Sequence, residues 1–519
     1  MSVSEEEFDT IFYNAKVITL DPALPEASLL AVKSGRIALV SGTQTGGDLK
    51  GRAAHVVDCA GRTLLPGFVD AHCHLAAYAE SLVSLSLSPR DGIRSVSDIQ
   101  DAIREASAKV SPGEWIRGKG YNEFYLDEKK HPNRRELDSA APLNPVKLTH
   151  RSGHAHVLNS LALQKVGIDD ATGDPPGGMI DRDLETGLPT GLLFGMGGYL
   201  SGKVPGLDAV EMERGLKQAN EKLLSYGVTS VQDATSSNDS KQWERFESWK
   251  WKGLFAPRLT MMLGLRAFYD FDEKTYASSL PGTDLKLGGV KIIAHRVTGS
   301  LEPEQVELNR IITSIHSAGF QAAIHAAEEP VVGACVDGFA DALRRHPSPA
   351  ARHRIEHCSV CRAALLRNLA DLGVMVVTQP AFLHYEGDRY LETVPAGDLE
   401  NLYSVGAMLE SGLGVGFGSD FPIVDPNPMI GIGAAVTRQT GEGCRMPGRC
   451  VDLYHSLEMQ TSGSAAANFE EDIKGSISPG KMADFILLND DPFSVSTDCL
   501  KDIRVVMTVL GGEIVWNET

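Results

Sequence analysis

The spacing of apolar and polar residues changes character along the chain. From residue 10 to 65 the apolar residues come in short strand-like runs: "TIFYNAKVITL", "LLAVKSGRIALV" and "HVVDCAGRTLL". Turn residues separate them, and Ser34-Gly35-Arg36 reads as a hairpin turn. The last stretch, with "MADFILL" and "VVMTVLGGEIVW", has the same character. Neither end holds enough strands to bury a face alone. The pattern therefore predicts one composite β-sandwich domain built from residues 1–65 and 471–519.

Between these ends, strand and helix patterns alternate. The strand candidates are "LPGFVDAH", "PVKLTH", "GVTSVQDA", "GGVKIIAH", "FQAAIHA", "HRIEHC", "VMVVTQ" and "VGFGSD". Amphipathic helical stretches lie between several of them. In "PEQVELNRIITSIHSAGF", Val306, Leu308, Ile311, Ile312 and Ile315 fall near one stripe, with Pro303 suited to a first turn and Gly319 to an end. In "PVVGACVDGFADALRRH", Cys335, Phe339 and Leu343 recur every fourth residue. Eight β-α units predict an α/β fold, a (β/α)8 TIM barrel over residues 66–470. The doubly wound alternative needs a Gly-rich first turn, which is absent. Two connections, 75–144 and 159–224, exceed what a minimal barrel needs and read as insertions. "PPGGMIDRDLETGLPTGLLF" reads as a hairpin within the second.

Composition narrows the partners. Of 519 residues, 42% are hydrophobic and 23% charged, as in ordinary globular chains. A net charge of -19 repels nucleic acid and anionic membrane surfaces; the expected partner is a small-molecule substrate, which the charge does not identify. No run approaches the roughly 18 apolar residues of a membrane helix. "MSVSEEEFDT" is acidic where a signal peptide is basic, so the expected location is cytoplasmic. Eight cysteines are too sparse for a disulfide scaffold, and the lone Cys358-x-x-Cys361 reads as reduced thiols.

In a barrel enzyme the chemistry sits at the C-terminal ends of the strands. There the chain places His72 and His74, then Lys291 on the fourth candidate strand, His325 ending the fifth, His357 the sixth and Asp420 the eighth. The spacings from Lys291 to His325 and from His325 to His357 each match one β-α unit. Two residues apart on a strand, His72 and His74 share a face and can grip one cation through neutral imidazole nitrogens. A lone His-x-His is weak; donors at three further strand ends strengthen it. Lys291 as an ammonium donates no lone pair. Deprotonated, it can take up carbon dioxide to give a metal-bridging carbamate; the alternative is an ammonium snorkelling outward or paired with an acid. Glu356, beside His357, is expected by strand alternation to point off the barrel axis in a structural role.

At this point the sequence resembles the metal-dependent amidohydrolase superfamily, and within it the YtcJ-like amidohydrolase 3 branch. The resemblance lies in "PGFVDAHCHL", "HPNRRELDSAAPLNPVKLTHRSGHAHVLNSLAL", "GVTSVQDA", "VKIIA", "IHA", "RIEHC", "TQP", "GFGSDFP" and "GSISPGKMADFILLNDDP", and spans nearly the whole chain. It implies a (β/α)8 barrel with a composite sandwich and one or two zinc-like metals. His72, His74 and Asp420 would hold one; His325 and His357 would hold a second, with N6-carboxylated Lys291 bridging. Zn2+ is the expected ion, another divalent metal an alternative. Relatives are often dimers, which makes a homodimer an expectation.

The chain departs from the family around the expected pocket: His295-Arg296 replaces Asp-Gly, "HAAEE" stands where Gly-Asp often follows His-Ala, and "RSGH" replaces Asp-Gly-His. The expected reaction is hydrolysis of an amide-type, non-peptide C–N bond by metal-activated water, with Asp420 as general base. Decarboxylation or ester hydrolysis on the same metals stays open, as does a non-catalytic binding role. Candidate substrate contacts are His154, His295, Arg296, Tyr121 and His384, with His156 and Arg117 weaker.

Overall fold

The computed structural model describes all residues except 1–6, 43–50, 176, 277–283, 298, 349 and 519. It has two compact units: Met1–His74 with Asn220–Thr519, and Leu75–Ala219.

The first unit contains eight parallel strands in chain order: β1 (Phe68–Cys73), β2 (Val228–Asp233), β3 (Arg258–Gly264), β4 (Leu285–Ile293), β5 (Ala322–Ala326), β6 (Arg354–His357), β7 (Met375–Thr378) and β8 (Gly414–Phe417). Their short apolar runs are buried, as strands covered on both faces require. Just beyond the strands, β8 meets β1 and completes the ring. The Asp420 N–H donates to the His72 carbonyl (2.8 Å), and the His74 N–H donates to the Phe421 carbonyl (3.0 Å). Buried Asp70 locks this seam. Its carboxylate accepts the N–H groups of His72 (3.1 Å) and Ser419 (3.0 Å) and the Ser419 hydroxyl (2.6 Å).

Seven of the eight expected strands are in this ring; "PVKLTH" is not. Val146–His150 belongs to the sheet of the second unit, pairing with Ile116–Tyr121 and Ala155–Leu158. The missing barrel strand is β3, "RLTMMLG". The two substitutions cancel, so Lys291 still lies on the fourth strand. The helix after β4 is Gln305–Ser317 and buries Leu308, Ile311, Ile312 and Ile315. Val306 is exposed in its first turn, and Pro303 precedes the helix.

Both chain ends build one eight-stranded sheet. Its path runs Glu513–Asn517, Val505–Leu510, Phe485–Leu488, Thr63–Pro66, Phe8–Ile18, Glu26–Lys33 and Arg36–Ser41. Phe8–Ile18 pairs with Ala53–Asp58 along its first half and with Thr63–Leu64 further on, so the sheet forks around a core that includes Phe12, Leu30, Ile37, Leu64, Phe485 and Val509. Ser34 and Gly35 have φ of 50° and 73°, the left-handed pair that a tight two-residue hairpin uses. Arg258, at the start of β3, ties barrel to sheet by a forked bond to Asp484 (2.6 and 2.9 Å).

The second unit has a six-stranded sheet in the order Met179–Arg182, Pro189–Phe194, Ala155–Leu158, Val146–His150, Ile116–Tyr121, Leu85–Ser86. Met179–Arg182 and Pro189–Phe194 form the expected hairpin.

A buried histidine chain under the helical layer has a readable proton order. The Ala322 N–H donates to His353 Nδ1 (3.0 Å), so His353 carries its proton on Nε2 and donates to His316 Nδ1 (3.0 Å). His316 Nε2 then donates to the His346 carbonyl (2.6 Å). Burial, helped by His316, pushes the His353 pKa down to about 4. A histidine kept neutral in the fold contributes stability that is full above its unfolded pKa of about 6.5. That stability drains away as pH falls toward 4. Thermal unfolding between pH 7 and 4 is expected to show this loss, and His353→Gln to show a shallower one.

Candidate metal centre

β1 delivers His72 and His74 to the C-terminal mouth of the barrel, and the turn after β8 delivers Asp420. One donor atom from each lies within 4.8 Å of the others, the one such grouping among the described residues. His74 Nε2 is 3.0 Å and His72 Nε2 3.5 Å from Asp420 Oδ1. His357 packs its ring 4.8 Å from that of His72, and His325 stands 4.4 Å from His357. Lys291 Nζ lies 3.4 Å from His72 Nε2. All six strand-end residues picked out by sequence therefore meet at one mouth.

Their electrostatics suit cation binding. Burial, then the neighbouring Lys291, pushes His72 down to about 3 despite Glu356. Burial also lowers His325 and His357. Neutral imidazoles offer lone pairs. Burial raises the Asp420 carboxyl, but the His74 hydrogen bond and nearby His72 and His357 outweigh it and hold the group well below the usual carboxylate range. Burial pushes Lys291 down to about 8 against Glu356 and Asp420. The donor set of two oriented imidazoles and one carboxylate, with two further imidazoles alongside, fits a divalent metal.

Backbone strain helps to aim these groups. His357 and Asp420 have φ of 75° and 60°, left-handed values that non-glycine residues rarely adopt. The turn at His357 corrects the expectation for Glu356. Glu356 does not point off the axis: with Arg354 it faces the barrel interior, fully buried, and its Oε2 lies 2.5 Å from His72 Nδ1. Regular alternation would have sent His357 outward; the left-handed residue swings it back to the mouth. Arg354 binds both Glu356 oxygens, the Gln232 side chain (2.6 Å) and the carbonyls of Ala71 (2.7 Å) and Ala467 (3.2 Å). The other ligand-candidate imidazoles on this seam are held likewise. His74 Nδ1 is 3.0 Å from Thr235 Oγ1, and His357 Nδ1 is 2.8 Å from Gln379 Oε1. The two-residue spacing of Arg354 and Glu356, the same as in His72-x-His74, was the available sequence signal.

The candidate substrate contacts fall on both units. His295 and Arg296 lie exposed in a hairpin after β4, where Arg296 donates to the Gly299 carbonyl (2.9 and 3.1 Å). His384 is half-buried on the helix Ala381–Thr393 that follows β7. Tyr121, His154 and His156 are residues of the second unit. Tyr121 is buried with its hydroxyl 2.9 Å from His131 Nδ1; His154 is exposed in a turn; His156 is buried with Nδ1 3.3 Å from Thr149 Oγ1. Arg117 donates to the Pro205 carbonyl (2.8 Å). Among the described residues, no helix is long and apolar enough to cross a membrane.

Comparison with known proteins gives the context. The chain is 29% identical to an N-substituted formamide deformylase of Arthrobacter pascens, over 98% of this chain and 99% of that protein. It is 27% identical to the putative amidohydrolase YtcJ of Bacillus subtilis, over 88% and 90%. A crystal structure of an uncharacterized metal-dependent hydrolase from Pyrococcus horikoshii shares the fold, with TM-score 0.74 at 22% identity over 94% and 99% of the two chains. The sequence model of the amidohydrolase family (Amidohydro_3) matches residues 55–516, nearly the whole length, and the chain belongs to that family.

Proposed function

We propose that this protein is a metal-dependent hydrolase that cleaves an amide-type, non-peptide C–N bond of a small molecule. The observation that carries this reading is the meeting of His72, His74 and Asp420 donor atoms within 4.8 Å at the barrel mouth. The full-length similarity to an enzyme named for N-substituted formamides supports the bond class. Such a substrate would release formate and an amine.

His72, His74 and Asp420 would hold one divalent ion, expected to be zinc; His325, His357 and Lys291, carboxylated on its amine, would hold a second. The metal supplies acidification of a water and polarisation of the substrate carbonyl. The chain's own groups do the rest. Asp420 is ionised at neutral pH, so its free oxygen can accept a proton from the attacking water and hand it to the leaving nitrogen. The imidazoles of His72, His74 and His357 are anchored through Nδ1, which leaves Nε2 of each as the nitrogen available to a metal.

The test joins metal content to turnover. Elemental analysis before and after chelation is run beside a panel of N-substituted formamides, other amides, esters and carboxylic acids. The expected result is a bound divalent metal and amide hydrolysis that disappears on chelation and returns on adding zinc. Ester cleavage or decarboxylation alone would replace the proposal with a different reaction on the same metals. A chain that takes up no metal and turns over nothing would point to a binding role.

A further inference from the structure

The hydrogen bonds around His72 form a buried chain of fixed direction. Arg354 cannot accept a proton, so it can only donate, and it binds both oxygens of Glu356. Glu356 is fully buried and receives this guanidinium on both of its oxygens, so its Oε2 faces His72 as an acceptor. It lies 2.5 Å from His72 Nδ1, so that nitrogen must carry the imidazole proton. In the neutral ring His72 Nε2 is then the lone-pair nitrogen, and it is the atom turned toward Asp420 and Lys291. Arg354 is itself braced against three separate segments through Gln232, Ala71 and Ala467. The carboxylate is thus held by a guanidinium that is itself fixed in place. A charged acceptor behind an imidazole also makes the ring a stronger donor than a neutral one does. His357, backed by the Gln379 amide, lacks that charge.

We propose that Glu356, clamped by Arg354, is a positioning residue: it fixes the tautomer of His72 and raises its strength as a metal donor. The proposal rests on the metal-centre reading above. It assigns Glu356 no contact with substrate and no proton transfer to it.

The experiment has a metal-dependent arm and a metal-independent arm. In the first, zinc affinity is measured by chelator competition on the wild-type protein and on Glu356→Gln. The variant is expected to bind roughly 10- to 100-fold more weakly. Glu356→Asp, which keeps the charge and the Arg354 pair, is expected to recover part of the loss. Removing the Glu356 charge alone strands a buried guanidinium and risks unfolding. The double variant Arg354→Met/Glu356→Leu removes both charges at similar volume and covers that case. In the second arm, nitrogen NMR of histidine-labelled, metal-free protein reads the His72 tautomer directly. The proton is expected on Nδ1 in the wild type and shifted to Nε2 in the double variant. Unchanged zinc affinity together with an Nδ1 proton retained in the double variant would overturn the proposal. If the wild-type protein takes up no metal yet shows the expected tautomer change, the metal reading fails while the positioning of His72 stands.

Discussion

Asp420→Asn is expected to lower turnover about a hundred- to ten-thousand-fold, the range typical of a lost general base. The substitution keeps the side chain's size and one of its oxygens, so the contacts to His74 (3.0 Å) and His72 (3.5 Å) can persist in altered form. What disappears is an acceptor that stays ionised at neutral pH. The backbone at this position, φ 60°, also tolerates the change, because asparagine is among the few residues that adopt left-handed values readily. The Asp420 N–H bond to His72 that closes the barrel ring involves only main chain and remains. Turnover should therefore collapse while melting temperature stays near that of the wild type and part of the metal is retained. Steady-state kinetics, calorimetry and elemental analysis on one preparation separate these effects. Near-wild-type turnover would remove Asp420 from its role as base, and a parallel loss of fold would make the activity change uninformative about chemistry.

The strand-end donors were legible in the sequence because a barrel places the ends of its strands at one mouth, whatever lies between them. His325 and His357 needed only a strand before them and a β-α spacing. The strand "RLTMMLG" escaped because it ends in Gly264, with no polar donor to mark it as a barrel strand. "PVKLTH" entered in its place because it ends in a histidine and has strand-like alternation; local pattern does not say which sheet a strand joins. Glu356 was misplaced for a different reason. Alternation was correct for Arg354 and Glu356, but it was anchored on His357, whose positive φ breaks the rule and leaves no mark in a non-glycine residue. Strained backbone at a candidate ligand position is where local rules are expected to fail.

Gly418→Ala should cost this protein most of its activity although the residue offers no side chain to the reaction. A Cβ at Gly418 would sit 2.6 Å from His72 Cβ, 2.7 Å from its backbone nitrogen and 3.0 Å from its Cα. These are atoms of β1 itself, held by Asp70 and by the bonds that close the ring, so no flexible side chain can yield. The methyl group must push β8 away from β1 at the seam between His72 and Asp420. Overpacking of this kind costs about 1–3 kcal/mol in stability. The larger effect is on geometry: displacing reacting groups by about 1 Å can cost on the order of 100-fold in rate. The expected phenotype is a folded protein with a lowered melting temperature, weakened metal binding and roughly 100-fold less turnover. Gly397→Ala is the matched control, since a Cβ there meets nothing within 4 Å. If Gly418→Ala retains wild-type kinetics and metal affinity, β1 and β8 are not held as closely as their hydrogen bonds indicate, and the pairing of His72 with Asp420 loses its structural basis.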